Sequence, residues 1–294
     1  MTEFLGYLIS GVMVGSIYSI IALGFVLIYK ASGVLNLAQG ELVIIGAYFA
    51  ITFLGTPGIP WPLGVVCTLA AVILMAFLIE RLILRPLVGQ PILAVILMTL
   101  GLSMLMRGLM SAFWGDQTRL SPLVFPKEAV RIGGAAISYQ YLWAFIICLA
   151  FLVVFTLFFK FTKIGLAMRA VSDDQQASQS LGIPIHRIFR NSWIISGIVS
   201  AVGGILLTSI TGVHYSLTVM GLKSVSVVIV GGLESIVGSV IAGPLIGAIE
   251  YIAAGYIDPL VGGGFRDVAA YIVLMIVLII RPYGLFGWQR IERV

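Results

Sequence analysis

Four stretches of the chain, Phe4 to Tyr29, Leu42 to Ile79, Ile132 to Phe159 and Asn191 to Val213, contain no Asp, Glu, Lys, Arg or His. Each reaches or exceeds the roughly 20 apolar residues that cross a bilayer as a helix. The second is too long for one crossing, and the run Gly55-Thr56-Pro57-Gly58-Ile59-Pro60-Trp61-Pro62 divides it in two. Composition agrees: of 294 residues 60% are hydrophobic and 10% charged, where a soluble globular chain carries about a quarter charged residues. The chain therefore reads as an all-α, polytopic integral membrane protein, one transmembrane domain over residues 1–294.

The expected spans are 5–29, 38–54, 62–84, 91–113, 138–159, 192–212, 216–233, 237–256 and 268–281, giving about eight or nine crossings. Those starting near Leu37 and Leu217 are short and rich in Gly or Ser, which suits broken or re-entrant helices. The first span lacks a basic leader and an A-x-A-like cleavage site, so it reads as retained. Cys67 and Cys148 fall inside apolar spans and behave as small hydrophobes, with no disulfide or metal framework implied.

One polar segment stands apart. Lys163 to His186 reads KIGLAMRAVSDDQQASQSLGIPIH, within a loop over residues 160–191. Ser172 is placed to cap a helix, Gln175 completes a capping box, and Asp173 and Asp174 put negative charge at the positive end of its dipole. Gly182 ends it in a left-handed turn and Pro184 prevents its resumption. The spacing predicts a helix from about Asp173 to Leu181, with Ala177 and Leu181 on one face as a small apolar spot for a groove on another protein. An ordinary interhelical loop carrying a surface helix has the same local spacing.

Charge orients the chain. With this loop inside, Lys30, Arg81, Arg85, Lys160, Lys163, Arg169, Arg187, Arg190, Arg281, Arg290 and Arg293 share its side, against Arg119, Lys127, Arg131 and Arg266 on the other. The positive-inside rule puts the capped helix in the cytoplasm. The net charge of +5 follows from that asymmetry and implies no nucleic-acid partner, since the basic residues lack interleaved aromatics.

Enzyme chemistry finds no foothold. His186 and His214 are separated by a span and have no Cys or carboxylate at ligand spacing, so neither metal nor cofactor is implied. There is no G-x-x-x-x-G-K-[ST] loop and no G-x-S-x-G elbow. Any ATP used must be hydrolysed by another chain.

The remaining chemistry lies in polar residues at membrane depth: Asn36, Gln39 and Glu41 in the run NLAQGE, then Arg107, Lys223, Glu234 and Glu250. A charge there costs about 2.5–3.5 kcal/mol on insertion scales and should face a cavity, a partner charge or a water-filled path. Asn36, Gln39, Glu41 and Lys223 are the candidates for a solute pathway. A Glu41–Lys223 pair that merely ties two helices is the alternative, Arg107 is expected to cap or pair locally, and Glu80 and Arg81 are expected to snorkel at a helix end. In VVIVGGLESIVGSVIAGPLIGAIE, Gly231, Gly232, Gly238, Gly243 and Gly247 suit close helix packing in lipid. This run echoes NLAQGELVIIGAY, a weak internal repeat.

The runs IYKASGVLNLAQGELVIIGAY (Ile28 to Tyr48), IGLAMRAVSDDQQASQSLGI (Ile164 to Ile183) and VVIVGGLESIVGSVIAGPLIGAIE (Val227 to Glu250) together resemble the LivH-type permease subunits of branched-chain amino acid ABC importers. The resemblance covers nearly the whole chain and departs at Glu234, where the family pattern has a small residue. It implies a permease domain that pairs with a LivM-type second permease, two cytoplasmic ATPase subunits and an external substrate-binding protein, in the cell inner membrane. It also implies that Arg169 to Ile183, with Arg169, Ala170, Ser172, Asp173, Asp174, Ala177, Leu181 and Gly182, is the segment that couples to the ATPase. Alternating access to a central cavity would follow.

A cavity lined by Leu, Ile, Val, Gly and Ala suits a neutral zwitterion with an apolar side chain. Urea or short amides in a related importer, and an ion-coupled carrier relaying protons through Glu41, Lys223, Glu234 or Glu250, are the alternatives. The outer loop from Gly115 to Gly133 is the natural candidate for contact with a binding protein.

Overall fold

A computed structural model describes residues 2–87, 90–115, 117–119, 128–132, 135–213 and 217–287. His214, Lys127, Arg290, Arg293 and most of the outer loop 115–133 lie outside the described residues. In order along the chain come α1 (Thr2–Ser32), α2 (Gln39–Leu54), α3 (Trp61–Ile79), α4 (Ile92–Trp114), a hairpin of β1 (Ala129–Ile132) and β2 (Ala135–Ser138), and α5 (Tyr139–Phe161). Then follow α6 (Lys163–Asp173), α7 (Gln175–Ser180), α8 (Ile185–Thr211), α9 (Leu217–Gly231), α10 (Ile236–Tyr256), α11 (Asp258–Val261) and α12 (Phe265–Ile280). A π-turn over Glu80–Leu84 and a 3-10 turn over Arg85–Leu87 extend α3.

Among the described residues six helices are long and apolar enough to cross a membrane: α1, α3 with its extension, α4, α5, α8 and α10. The two segments expected to be short, α2 and α9, have 16 and 15 residues, as short as the 16-residue α12, and each is an uninterrupted helix. The described chain is a multi-pass membrane protein.

Its centre is α1. A helix apolar on every face must be buried on every face, and from Ile17 to Val26 nearly every residue of α1 is wholly buried, enclosed by α10, α8, α9 and α5. The outer helices show the reverse arrangement. Leu82, Leu93, Met104, Val154 and Ile279 are all more than 60% exposed, an apolar surface that water would not tolerate and acyl chains would cover.

The α1–α10 contact explains several residues at once. Gly11 and Gly15 of α1 meet Gly247 and Gly243 of α10, backbone against backbone, and a Cβ at any of the four would collide with the facing main chain. Pro244 sits inside α10 at this contact and cannot donate a hydrogen bond to the carbonyl of Val240. Ser19 Oγ of α1 donates to that carbonyl instead, at 3.2 Å, so no acceptor is stranded in the apolar interior.

The β-hairpin was not anticipated. Ile132 pairs opposite Ala135 and Ala129 opposite Ser138, and in the sequence a Gly-Gly dipeptide separates the two short runs, a turn signal that apolar-run counting overlooks.

Candidate functional site

Helix α1 ends at Gly33, whose φ of 70° suits only glycine and whose N–H closes on the carbonyl of Tyr29. The chain then crosses the interior without helical hydrogen bonds until α2 begins at Gln39, and side chains replace what the backbone lacks. Asn36 Oδ1 accepts from the N–H of Ala38 at 3.0 Å, and Asn36 Nδ2 donates to Gln39 Oε1 at 3.1 Å. Gln39 Nε2 donates to Ser200 Oγ at 2.7 Å and Ser196 Oγ at 3.0 Å, both on α8, and Ser196 Oγ donates to the carbonyl of Gly24. Asn36, Gln39, Ser196 and Ser200 are all buried. Ser196 and Ser200 lie four apart on one face of α8, a spacing visible in the sequence that marks them as partners for a buried amide.

Beneath this seam lies a cavity of about 150 Å³ whose wall includes Asn36, Thr99, Trp193, Glu80, Arg85 and, at its mouth, Gln175 of α7. Asn36 thus lines open space, whereas Gln39 and Glu41 are wholly buried behind it.

The charged residues are paired, and not as expected. Glu41 Oε1 accepts from Arg107 Nε on α4 at 2.6 Å, and Glu41 Oε2 has no hydrogen-bond partner among the described residues. Lys223 Nζ of α9 donates to Asp267 Oδ1 of α12 at 2.7 Å and lies 3.3 Å from Glu250 Oε1 of α10, an electrostatic contact without hydrogen-bond alignment. Tyr18 OH of α1 donates to Glu250 Oε2 at 3.2 Å. Glu41 and Lys223 therefore anchor two separate junctions rather than pairing with each other. Arg107 reaches across 66 residues of sequence to Glu41. Tyr18 and Asp267 are participants that a search for charges at membrane depth omits.

Glu80 also differs from expectation. It is 5% exposed rather than snorkelling, because the π-turn carries the helix past it and turns its carboxylate toward the charges of Arg85, Arg190, His186 and Arg81. Arg81 is exposed and stacks over the Phe77 ring at 5.9 Å.

The polar loop folds as two helices. Thr162 caps α6, its Oγ1 accepting from the N–H of Gly165, and Gly165, Met168 and Val171 form its buried face. That pattern carries α6 on to Asp173, so Ser172 and Asp173 occupy its last turn and the Ser172 capping box does not form. Asp174 is the N-cap of α7, its Oδ1 accepting from the N–H of Ala177 at 2.8 Å. At the other end Gly182 has φ 83°, its N–H donates to the carbonyl of Gln179, and the N–H of Ile183 donates to that of Ser178. This is the glycine-terminated helix end that the sequence indicated. Ala177 is exposed and Leu181 is 82% exposed, while Arg169 and Ala170 lie half-buried against the bundle.

Charge joins this loop to the central helix. Lys30 near the end of α1 lies in the attractive field of Glu234, in the turn before α10, and of Asp173 on α6, and is repelled by Arg169 of α6. The other glycines of the run lie at the same end. Gly231 and Gly238 press backbone to backbone between α9 and α10, and Gly232, at φ 105°, abuts Gly287.

Residues 7–281 match the family model for the permease component of branched-chain amino acid transport systems. The chain belongs to this family. The permease is 30% identical over 312 residues to the high-affinity branched-chain amino acid transport system permease protein BraD of Pseudomonas aeruginosa, covering 99% of this chain and 98% of that one. It is 28% identical over 306 residues to the LivH protein of Escherichia coli K12, with the same coverage. A probable LivH of Methanocaldococcus jannaschii is 31% identical over 294 residues, covering 94% of this chain and 90% of that one. Among solved structures, PsaBC from Streptococcus pneumoniae in complex with Fab matches at 14% identity with a TM-score of 0.50, covering 96% of the permease and 93% of that chain, a likeness of fold alone. Membership makes this chain a transport subunit rather than an enzyme, and favours the importer over a lone ion-coupled carrier or a urea and amide permease.

Proposed function

We propose that this permease is one half of the membrane-spanning unit of an ATP-binding-cassette importer that moves branched-chain, hydrophobic amino acids across the inner membrane by alternating access. Its other half is a second permease of LivM type, two ATPase subunits sit on the cytoplasmic side, and an external binding protein delivers the substrate. An N-terminus outside with Lys30, α6, α7 and Arg281 inside, as the positive-inside rule requires, fits nine crossings, the upper of the two expected counts.

The observation that carries this reading is the position of α7. It stands outside the bundle with Ala177 and Leu181 exposed, while α6 buries Gly165, Met168 and Val171 and packs against the central helix. A push on α7 reaches α1 through α6, which packs on both, and reaches the cavity wall through Gln175. Arg169 to Gly182 form the coupling segment, and Asn36 with the Gln39–Glu41 start of α2 borders the pathway. Lys223 belongs to the frame around it.

Uptake of labelled leucine against labelled urea, in cells carrying the whole transport system, tests the substrate. Leucine uptake that disappears with the ATPase subunits is expected, and urea uptake or ATPase-independent flux would overturn the reading. The coupling segment has its own test. Asp174→Ala removes a cap contributing about 0.5–2 kcal/mol, and Gly182→Val forces a β-branched residue into a left-handed turn at about 1–2 kcal/mol. Both variants are expected to reach the membrane at normal levels and to lose most substrate-stimulated ATP hydrolysis. Hydrolysis at the wild-type rate would remove α7 from the coupling route.

A further inference from the structure

Where the π-turn of α3 meets the first turn of α8, a cavity of about 260 Å³ is lined by Arg81, Arg85, Arg187 and Arg190, with His186 at its rim and Glu80 as the one carboxylate. Arg81, Arg85 and Arg187 are exposed and Arg190 is half-buried. None of the four guanidinium groups lies within 4.0 Å of a carboxylate among the described residues, whereas Arg107 and Lys223 each have a carboxylate partner. Four arginines against one buried glutamate leave a concentrated positive charge in a concave site. Guanidinium forks match phosphate oxygens in geometry as well as charge.

The surroundings select the form in which that phosphate arrives. Leu78 and Leu82, 43% and 68% exposed, flank Arg81 on the membrane-facing side of α3, and Leu74 continues the apolar surface one turn further along the same helix. A ligand with an anionic head and acyl chains fills both parts, whereas a free anion leaves the leucines uncovered and an ATPase surface would have to enter the hydrocarbon to cover them. We propose that this cavity binds the phosphate headgroup of an anionic phospholipid of the cytoplasmic leaflet, with an acyl chain along Leu82, Leu78 and Leu74. Glu80 and Arg85 also line the cavity beneath Asn36. A bound lipid would therefore brace the wall shared by the two spaces.

The test uses the assembled importer in nanodiscs of phosphatidylcholine with or without phosphatidylglycerol, with retained lipid read by native mass spectrometry. Arg187→Gln with Arg190→Gln is expected to weaken phosphatidylglycerol retention roughly 30-fold, at about 1 kcal/mol per arginine, with phosphatidylcholine unaffected. Arg81→Gln with Arg85→Gln, on the opposite wall, is expected to do the same and serves if the first pair fails to assemble. Equal retention by wild type and both variants would refute the site. Displacement of the lipid by inorganic phosphate would make it a free-anion site, and loss of the ATPase subunits with lipid retention intact would make it a protein contact. Either result overturns the proposal, while the importer reading is tested separately, by leucine uptake through the wild-type system.

Discussion

Lys223→Met is expected to abolish assembly of the permease. The side chain is 2% exposed, and its ammonium group stands between Glu250, which is wholly buried, and Asp267. Removing one partner of a buried ion pair costs about 3–5 kcal/mol, because the remaining charge is left uncompensated in a medium that cannot solvate it. That is a large fraction of the roughly 5–15 kcal/mol by which folded domains are stable. The protein should be lost from the membrane fraction or elute as aggregate from a size-exclusion column in mild detergent. The double variant Lys223→Met with Glu250→Gln removes the stranded charge and should recover a monodisperse peak. Transport separates the two roles considered for this lysine. Recovery of leucine uptake with the double variant makes Lys223 a structural tie, and recovery of assembly without uptake returns it to the solute pathway.

The second large effect is expected at Gly247. A side chain there has no space to enter, since its first carbon would lie 2.5 Å from Gly15 Cα and collide with the carbonyl of Gly11. Helices in lipid are held by close van der Waals packing rather than by hydrophobic exclusion, so forcing α10 away from α1 removes the attraction along the whole contact. Overpacking a core typically costs about 1–3 kcal/mol, and a collision between two backbones allows less relief than one between side chains. Gly247→Leu should therefore fail to accumulate, and Gly247→Ala should accumulate with a lowered Tm in detergent. As an internal comparison, Gly101→Leu and Gly108→Leu on α4 add a side chain where nothing stands within 4 Å. They should leave the Tm unchanged. A normal Tm for Gly247→Leu would show that the α1–α10 contact is looser than its geometry.

Much of the architecture was legible in the sequence because hydrocarbon leaves a chain few choices. Runs without charge become helices, and the expected spans over 91–113 and 138–159 match α4 (Ile92–Trp114) and α5 (Tyr139–Phe161) closely. Gly182 was legible for a similar reason, since a glycine followed two residues later by proline leaves a helix no means of continuing. The partners of the charges were not legible. Glu41 and Arg107 are 66 residues apart and Lys223 and Asp267 are 44 apart, and any of several buried charges could have neutralised another on composition alone. Geometry made the choice. The start of α7 was misplaced because Ser172, Asp173 and Asp174 are all capable caps. The apolar face of α6, running through Met168 and Val171, holds the first two inside that helix and leaves the capping to Asp174. Glu80 was misread because a helix end at the membrane surface usually lets its carboxylate reach water, and a π-turn that redirects it has no sequence signature.

The substitution by which Ser19 completes the hydrogen bonding of α10 has a further consequence. Two rods that touch through side chains can ratchet by a helical turn, exchanging one set of knobs for another, but α1 and α10 touch through bare main chain and share the hydrogen bond from Ser19 to the Val240 carbonyl. Slippage by one turn would place Cβ-bearing residues where glycines now lie and would leave the Val240 carbonyl unpaired in a dry interior. The two helices must therefore travel together as a single mast, and whatever motion opens and closes the transporter has to be taken up by the elements arranged around it.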